Sequence, residues 1–337
     1  MFNLRSGHTE ILGVGGYLPS TVVKTSEVLS DIRPDQYGIE SDFIERTMGI
    51  SESRFSDPGL YPSDLATFAA EDMFDRCEVS PNDVGMIIFC GMDRDNNEPS
   101  TAHRVQKKLG VRESVVFDVA NACHGFMDGL NIIDSFISSG AIDYGLVVTG
   151  EQPSHLTKRL AERLKNGMSQ RDFRVRIGAL TTGDCGGAML IGRKRDKGIE
   201  MTQSLSKGEF ADLCYYRQTP TGDIEGQLIM GPLQANAIRM HHKIYEKSMD
   251  YLNWEPDDID YLVTHQVGNR LFERFSKIFQ VSADRMTKTF PMLGNLITGT
   301  IPINLWQLER RGALCGKQVF LACSGSGLSI SQWGINF

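Results

Sequence analysis

The sequence predicts an α/β fold built from two similar halves. Short apolar strands alternate with longer helical patterns, which argues for parallel-rich sheets covered by helices. The chain also repeats itself. SPNDVGMIIFCG, from Ser80, sets against EPDDIDYLVTHQ, from Glu255, with Pro81 on Pro256, Asp83 on Asp258 and Val84 on Ile259. A repeat of about half the chain means two copies of one supersecondary unit packed on each other, since solenoid repeats run ~20–50 residues. The 337 residues, 41% hydrophobic and 23% charged, are enough to bury a large core.

Each element has a local reason. A helical stretch precedes each copy of the repeat, Asp64–Cys77 in the first and Ala235–Leu252 in the second. An apolar strand follows each, and then an amphipathic stretch ending in a β-branched residue, AHRVQKKLGV and RLFERFSKIFQV. Later in each half an apolar strand meets a turn of small residues, VVFDVANAC and QVFLACSGSG, and these two are expected to be equivalent. Val115–Val119 is expected as a strand and His124–Ser138 as the helix after it. Gln152–Gln218 reads as a polar, partly helical insertion containing TKRLAERLKNGMSQRDFRVR. Two readings fit that basic run, a solvated helix face and a cap over a substrate entrance. The halves are placed at 1–175 and 176–337, with the insertion running from about residue 152 to about 218.

Charge and cysteine usage narrow the function. A net charge of −7 argues against a general nucleic-acid binder. No apolar run approaches the ~20 residues of a membrane span. MFNLRSGHTEILGVGGYLP lacks a signal-peptide pattern, and the seven cysteines are scattered without CxxC, so reduced thiols and a cytoplasmic location are expected. His241 and His242 are adjacent in a helical context and point in different directions, so no metal site is expected.

The chemistry gathers at strand ends. Cys123 falls at the expected helix start, where unpaired amides and the dipole stabilise a thiolate and lower its pKa. The same amides can hold an oxyanion. The other six cysteines, Cys77, Cys90, Cys185, Cys214, Cys315 and Cys323, read as inert. A nucleophilic Cys needs a partner, and His265, where an apolar strand becomes a loop in the second copy, is the candidate. Asn295 sits in MLGNLITGTIPINL, a tight loop leading into a helix, where its amide can donate to a carbonyl oxygen. In SGSGLS, Gly325 and Gly327 let the Ser326 amide approach a ligand closely.

Cys after FDVANA, His in HQV, Asn in GN followed by small residues and IP, and a terminal GSG turn, in this order and spacing, resemble the thiolase superfamily. More closely they resemble the β-ketoacyl-acyl carrier protein synthase III group, from ILGVGGYLP to SQWGINF. The resemblance implies a thiolase-like five-layer αβαβα fold and a homodimer. It implies acyl-CoA or acyl carrier protein as substrate and partner, no permanently bound cofactor, and a place in fatty acid or polyketide metabolism. By resemblance Cys123 is the acyl-accepting nucleophile, His265 and Asn295 hold the second substrate's carbonyl, and the Cys123 and Ser326 amides form the oxyanion hole. Arg270 matches a basic position near carrier phosphates, and a surface salt bridge is its other reading.

Two departures matter. The group often has Trp then Arg before the first TGI. Here DFIERTMGI puts Phe43 at the Trp place and Arg46 one residue out of register, so cofactor contacts are not carried over there. DRDNNEPSTA puts Glu98 where ordinary synthase III enzymes have an apolar residue, on a loop (96–101) that in the family lines the partner subunit's acyl pocket. A carboxylate pushed into an apolar pocket is raised in pKa, which suits a general base. EPSTA, FDVANAC, IDYGLVV and GSGL together resemble the OleA-type enzymes, which join two acyl thioesters head to head, and related alkylpyrone-forming ketosynthases. The expectation is an acyltransferase performing a Claisen condensation through an acyl-Cys123 intermediate, without decarboxylation and with Glu98 as base. Decarboxylative condensation with malonyl-carrier protein or malonyl-CoA, acyl transfer to an oxygen or nitrogen acceptor, and an inactive scaffold are the rivals. His124 either tunes Cys123 or packs against Phe126.

Overall fold

A computed structural model describes residues 3–218 and 224–337. Two five-stranded sheets organise the chain. The first runs in the order Thr9–Tyr17, Cys185–Arg193, Tyr144–Glu151, Met86–Cys90, Val115–Val119. The second runs Asn3–Arg5, Ile199–Ser206, Ser329–Asn336, Gln318–Gly325, Tyr261–Thr264. MIIFC at 86–90 shows why the strands read as continuous apolar runs. Met86, Ile88 and Cys90 face one core and Ile87 and Phe89 the other, so both faces are buried.

The helices complete five layers. Pro62–Phe74 and Thr101–Lys108 cover the outer face of the first sheet. Gly125–Ser138 and Thr300–Arg310 lie between the sheets, where Phe126, Leu130, Ile301 and Leu305 share one core with Trp333 and Leu321. Met230–Leu252 and Asn269–Phe279 cover the outer face of the second sheet through Tyr245, Phe275 and Phe279.

The pairing pattern shows the internal repeat and corrects three expectations. In the first sheet Tyr144–Glu151 pairs parallel with Met86–Cys90 and antiparallel with Cys185–Arg193. In the second, Gln318–Gly325 pairs parallel with Tyr261–Thr264 and antiparallel with Ser329–Asn336. The strand before SGSGLS is therefore the equivalent of Tyr144–Glu151, and not of Val115–Val119 before Cys123. Both candidates are apolar and end in small residues, and only the pairing separates them. The crossing between sheets falls after Arg193 and before Ile199, later than 175/176. The stretch 152–218 is not an insertion throughout, because Cys185–Arg193 and Ile199–Ser206 are inner strands. Its true excursions are the helices Ser154–Lys165 and Gln170–Arg176 and a hairpin of Cys214–Gln218 with Ile224–Leu228.

Candidate active site

The strand Val115–Val119 ends and three residues later Ala122 adopts φ 46°, a conformation rare for a residue with a side chain. This turn presents Cys123, and the helix begins at Gly125 with His124 as its cap. His265 follows Tyr261–Thr264 and continues that strand's pairing, its N–H donating to the Ala322 carbonyl at 3.0 Å. The Asn295 backbone is tied on both sides, its N–H to the Thr181 carbonyl (2.8 Å) and its carbonyl to the Gly183 N–H (3.1 Å). Its side-chain Oδ1 accepts the Ile297 N–H at 2.9 Å, which leaves the amide NH2 as the free end. Ile297 itself has φ 53°. Left-handed Ala122 and Ile297 cost about 1–3 kcal/mol each, and both stand at the site.

Cys123, His265, Asn295 and Ser326 line one cavity of about 1050 Å3, its open mouth included. The rest of the wall is mostly apolar, with Leu156, Leu228, Met230, Leu233, Val267, Leu271 and Leu328. Such a wall suits an acyl chain, with a few polar groups at one end to fix orientation. The terminal turn reaches Cys123 because Gly325 has no side chain. A Cβ there would stand 2.7 Å from the His124 nitrogen. Leu156, Tyr216 and Leu228 bring the helical excursion and the hairpin into the wall, and the basic run buries Leu160, Leu164 and Phe173 in the core. Arg159, Arg163 and Arg176 line a smaller adjoining hollow. The hairpin's contribution was not foreseen, although the paired tyrosines of CYYRQ, a residue type enriched in strands, could have marked it.

The electrostatics depart from expectation at Cys123. Burial first, then the neighbouring thiols of Cys323 and Cys214 and the Glu151 carboxyl, push its thiol well above the usual value. Cys123 stands two residues before the first helical residue, where the dipole is already weak, so desolvation wins. His265 is lowered to about 4, by burial and then by His124, and is neutral at physiological pH. His124 is buried too. Its Nδ1 stands 3.1 Å from an Asp128 oxygen, without the alignment of a hydrogen bond.

Three residues singled out in the sequence lie outside this cavity. Glu98 is exposed on the loop after Met86–Cys90, and of that loop Met92 is the residue that reaches the cavity wall. Arg270 is exposed in the first turn of Asn269–Phe279, beside the lining residue Leu271. Arg46 is engaged with Glu40 at 2.9 Å on the surface. One buried acid was missed. Glu151 ends the strand Tyr144–Glu151, and its Oε1 accepts from the Met92 N–H (3.1 Å), the Thr298 N–H (3.4 Å) and the Thr298 hydroxyl (2.5 Å). A carboxylate closing an apolar strand was the available signal.

Among the described residues no group of side chains could hold a metal ion, and no helix is long and apolar enough to cross a membrane. Residues 117–208 match the family described as 3-oxoacyl-[acyl-carrier-protein] synthase III, and residues 249–335 match its C-terminal part. A β-ketoacyl-[acyl-carrier-protein] synthase III from Baumannia cicadellinicola is 29% identical, over 97% of this chain and 98% of its own. An acyl-CoA:acyl-CoA alkyltransferase from Xanthomonas campestris is also 29% identical, over 91% of this chain and 92% of its own. A variant of Xanthomonas campestris OleA solved with bound lauric acid and lauroyl-CoA superposes with a TM-score of 0.92 at 27% identity, covering 99% and 100% of the two chains. The synthase III of Xanthomonas oryzae superposes with a TM-score of 0.91 at 28% identity, covering both chains fully. With the five layers and the doubled unit already traced, these likenesses put the chain among the β-ketoacyl synthase III-like acyltransferases of the thiolase superfamily, with a marked resemblance to OleA.

Proposed function

We propose that the protein joins two acyl thioesters by a non-decarboxylative Claisen condensation. The single observation that carries the reading is the convergence of Cys123, His265 and Asn295 on one largely apolar cavity. Cys123 attacks the carbonyl of an acyl-CoA or acyl-carrier thioester. The new C–S bond forms, and the departing thiol leaves with the proton. The Cys123 and Ser326 amides hold the oxyanion. A second acyl thioester then enters, and Glu98 of the partner subunit removes its α-proton. Neutral His265 donates one ring N–H to the enolate oxygen and Asn295 donates from its amide. The carbanion attacks the acyl-Cys123 carbonyl, a C–C bond forms, the C–S bond breaks, and Cys123 is released to take a proton.

The homodimer in this reading is supported by the edge strand Val115–Val119, which has one unpaired side and an exposed Val115. The likeness to an acyl-CoA:acyl-CoA alkyltransferase favours two acyl thioesters over a malonyl donor. In this reading Arg270, exposed beside the lining residue Leu271, would meet the donor's phosphates.

The test is Glu98→Gln in two assays, acyl-Cys123 by intact mass and ketone product from two acyl-CoAs. Self-acylation should survive, while condensation should fall by about 10²–10⁴ because Gln cannot take the α-proton. Normal condensation by the variant, with CO2 released from malonyl-carrier protein, would establish the decarboxylating alternative. A protein that acylates but never forms a C–C bond would be an acyl transferase to oxygen or nitrogen. Cys123→Ala should show no covalent acyl group at all.

A further inference from the structure

We propose that Glu151 is a positioning residue for the condensation step, its one buried carboxyl fastening the root of the loop that carries Glu98 to the turn that carries Asn295. The proposal rests on the condensing reading above. Glu151 is fully buried, which is rare for a glutamate. The fold does not require a carboxyl at this place. The equivalent strand of the other half, Gln318–Gly325, ends in glycine.

What Glu151 holds is specific. Its Oε1 accepts from the Met92 N–H on one side and from the Thr298 N–H and hydroxyl on the other. Met92 and Ile297 both line the Cys123 cavity. Met92 begins the stretch that leads out to Glu98. Thr298 follows the left-handed Ile297, whose N–H is bound by the Asn295 Oδ1. Without the carboxyl the Met92 N–H and the Thr298 N–H lose this acceptor in a buried place, and the turn loses one of the anchors that hold its unfavourable backbone. The Asn295 amide would then no longer be aimed at the enolate oxygen. Acylation of Cys123 needs neither Asn295 nor Glu98, so the two half-reactions separate the effect.

The carboxyl is also held neutral. Burial, and then the Asp93 carboxyl, raise it to about 8. The other titratable groups around it are the Cys90, Cys123 and Cys185 thiols and, through Asp93, His155 and Asp184. A neutral carboxyl is closely copied by a glutamine amide, whose oxygen can accept the same bonds. Ionisation above pH 8 strengthens the carboxyl as an acceptor and places a charge beside Asp93, so the fastening changes there.

The test uses the full-length enzyme with Glu151→Ala and Glu151→Gln. Acyl-Cys123 formation is followed by mass, and condensation kcat and KM are measured from pH 6 to 9. Glu151→Ala should lose on the order of 10–100-fold in condensation kcat while acylation stays within about threefold, the size expected from misplacing a group by a fraction of an ångström. Glu151→Gln should restore condensation at pH 7, and should lack the change in the ratio of condensation to acylation that the wild type shows above pH 8. Parallel loss of both half-reactions in Glu151→Ala, or a Gln variant as poor as Ala, would overturn the proposal. Should the Ala variant fail to fold, the Gln pH profile decides, and a profile identical to wild type counts against it. A wild type that condenses alongside an unimpaired Glu151→Ala sinks this proposal alone, whereas a wild type that acylates without forming ketone sinks the condensing reading and this with it.

Discussion

His265 and His241 are held neutral by burial, at about 4 and about 3. An unfolded histidine titrates near 6.5. Between that pH and the folded values the unfolded chain takes up protons that the folded chain refuses. The stability these residues allow is full above about pH 6.5 and falls as the pH drops toward 4, by at most about 1.4 kcal/mol per pH unit for each imidazole. Glu151 works the other way, because its raised pKa favours the folded state most at low pH and that contribution is lost as pH rises toward 8. The urea midpoint at pH 5.0, taken relative to that at pH 7.5, should therefore be higher in His265→Gln than in the wild type. An equal difference would mean that His265 is not held neutral. Cys123, His265 and Asn295 were legible in the sequence because each breaks an apolar strand or a run of small residues where buried structure would continue. The sign of the Cys123 shift was not legible. It depends on how much solvent three thiols and a carboxyl exclude together, and these come from four separate strands and turns.

The helix Gly125–Ser138 carries Cys123 at its entrance and lies against the first sheet through a glycine. A Cβ on Gly129 would stand 2.6 Å from the Cys90 sulfur and 3.0 Å from Val147. Gly129→Val should push this helix outward, destabilise the fold by about 1–3 kcal/mol, and slow acylation of Cys123. A thermal melt and the mass assay check this, and unchanged values would mean that the helix has room to spare. The same close packing explains the element that sequence patterns misread. CGGAMLIGR looks like loop because it has three glycines, yet it is an inner strand. A side chain on Gly186 would run into the Leu65 carbonyl, and one on Gly187 would come 2.7 Å from Pro302. These glycines exist so that a helix can lie directly on the strand. Val115–Val119 was legible because its β-branched run is flanked by clear turn residues, and the helix after it starts within one residue of its expected place. Which later strand matched which could not be read, since pairing partners far apart in the chain decide it.

At the scale of the whole molecule, the doubled unit explains why the site lies where it does. Each half delivers strand ends to the same level, so the turn before one middle helix faces the turn before the other. Cys123 comes from the first half and His265, Asn295 and Ser326 from the second, and all four line one cavity. Glu98, the proposed base, lies outside that wall, exposed on a loop near the unpaired edge of the first sheet. If that edge meets a second copy, each cavity uses Glu98 of the other chain, and two inactive variants should repair each other. Cys123→Ala and Glu98→Gln homodimers should each fail to condense. Co-expressed with distinct affinity tags, they should yield mixed dimers in which one cavity has both Cys123 and the partner's Glu98. With random assembly of a two-fold dimer, roughly a quarter of wild-type activity should return. A base acting within its own chain predicts no recovery, because every chain that keeps Cys123 lacks Glu98. Recovery with the tag-purified mixed dimer at about half of wild type, against none from either parent, would place the two groups on different subunits. Its absence in a dimer proven by light scattering would confine Glu98 to its own chain or remove it from the reaction.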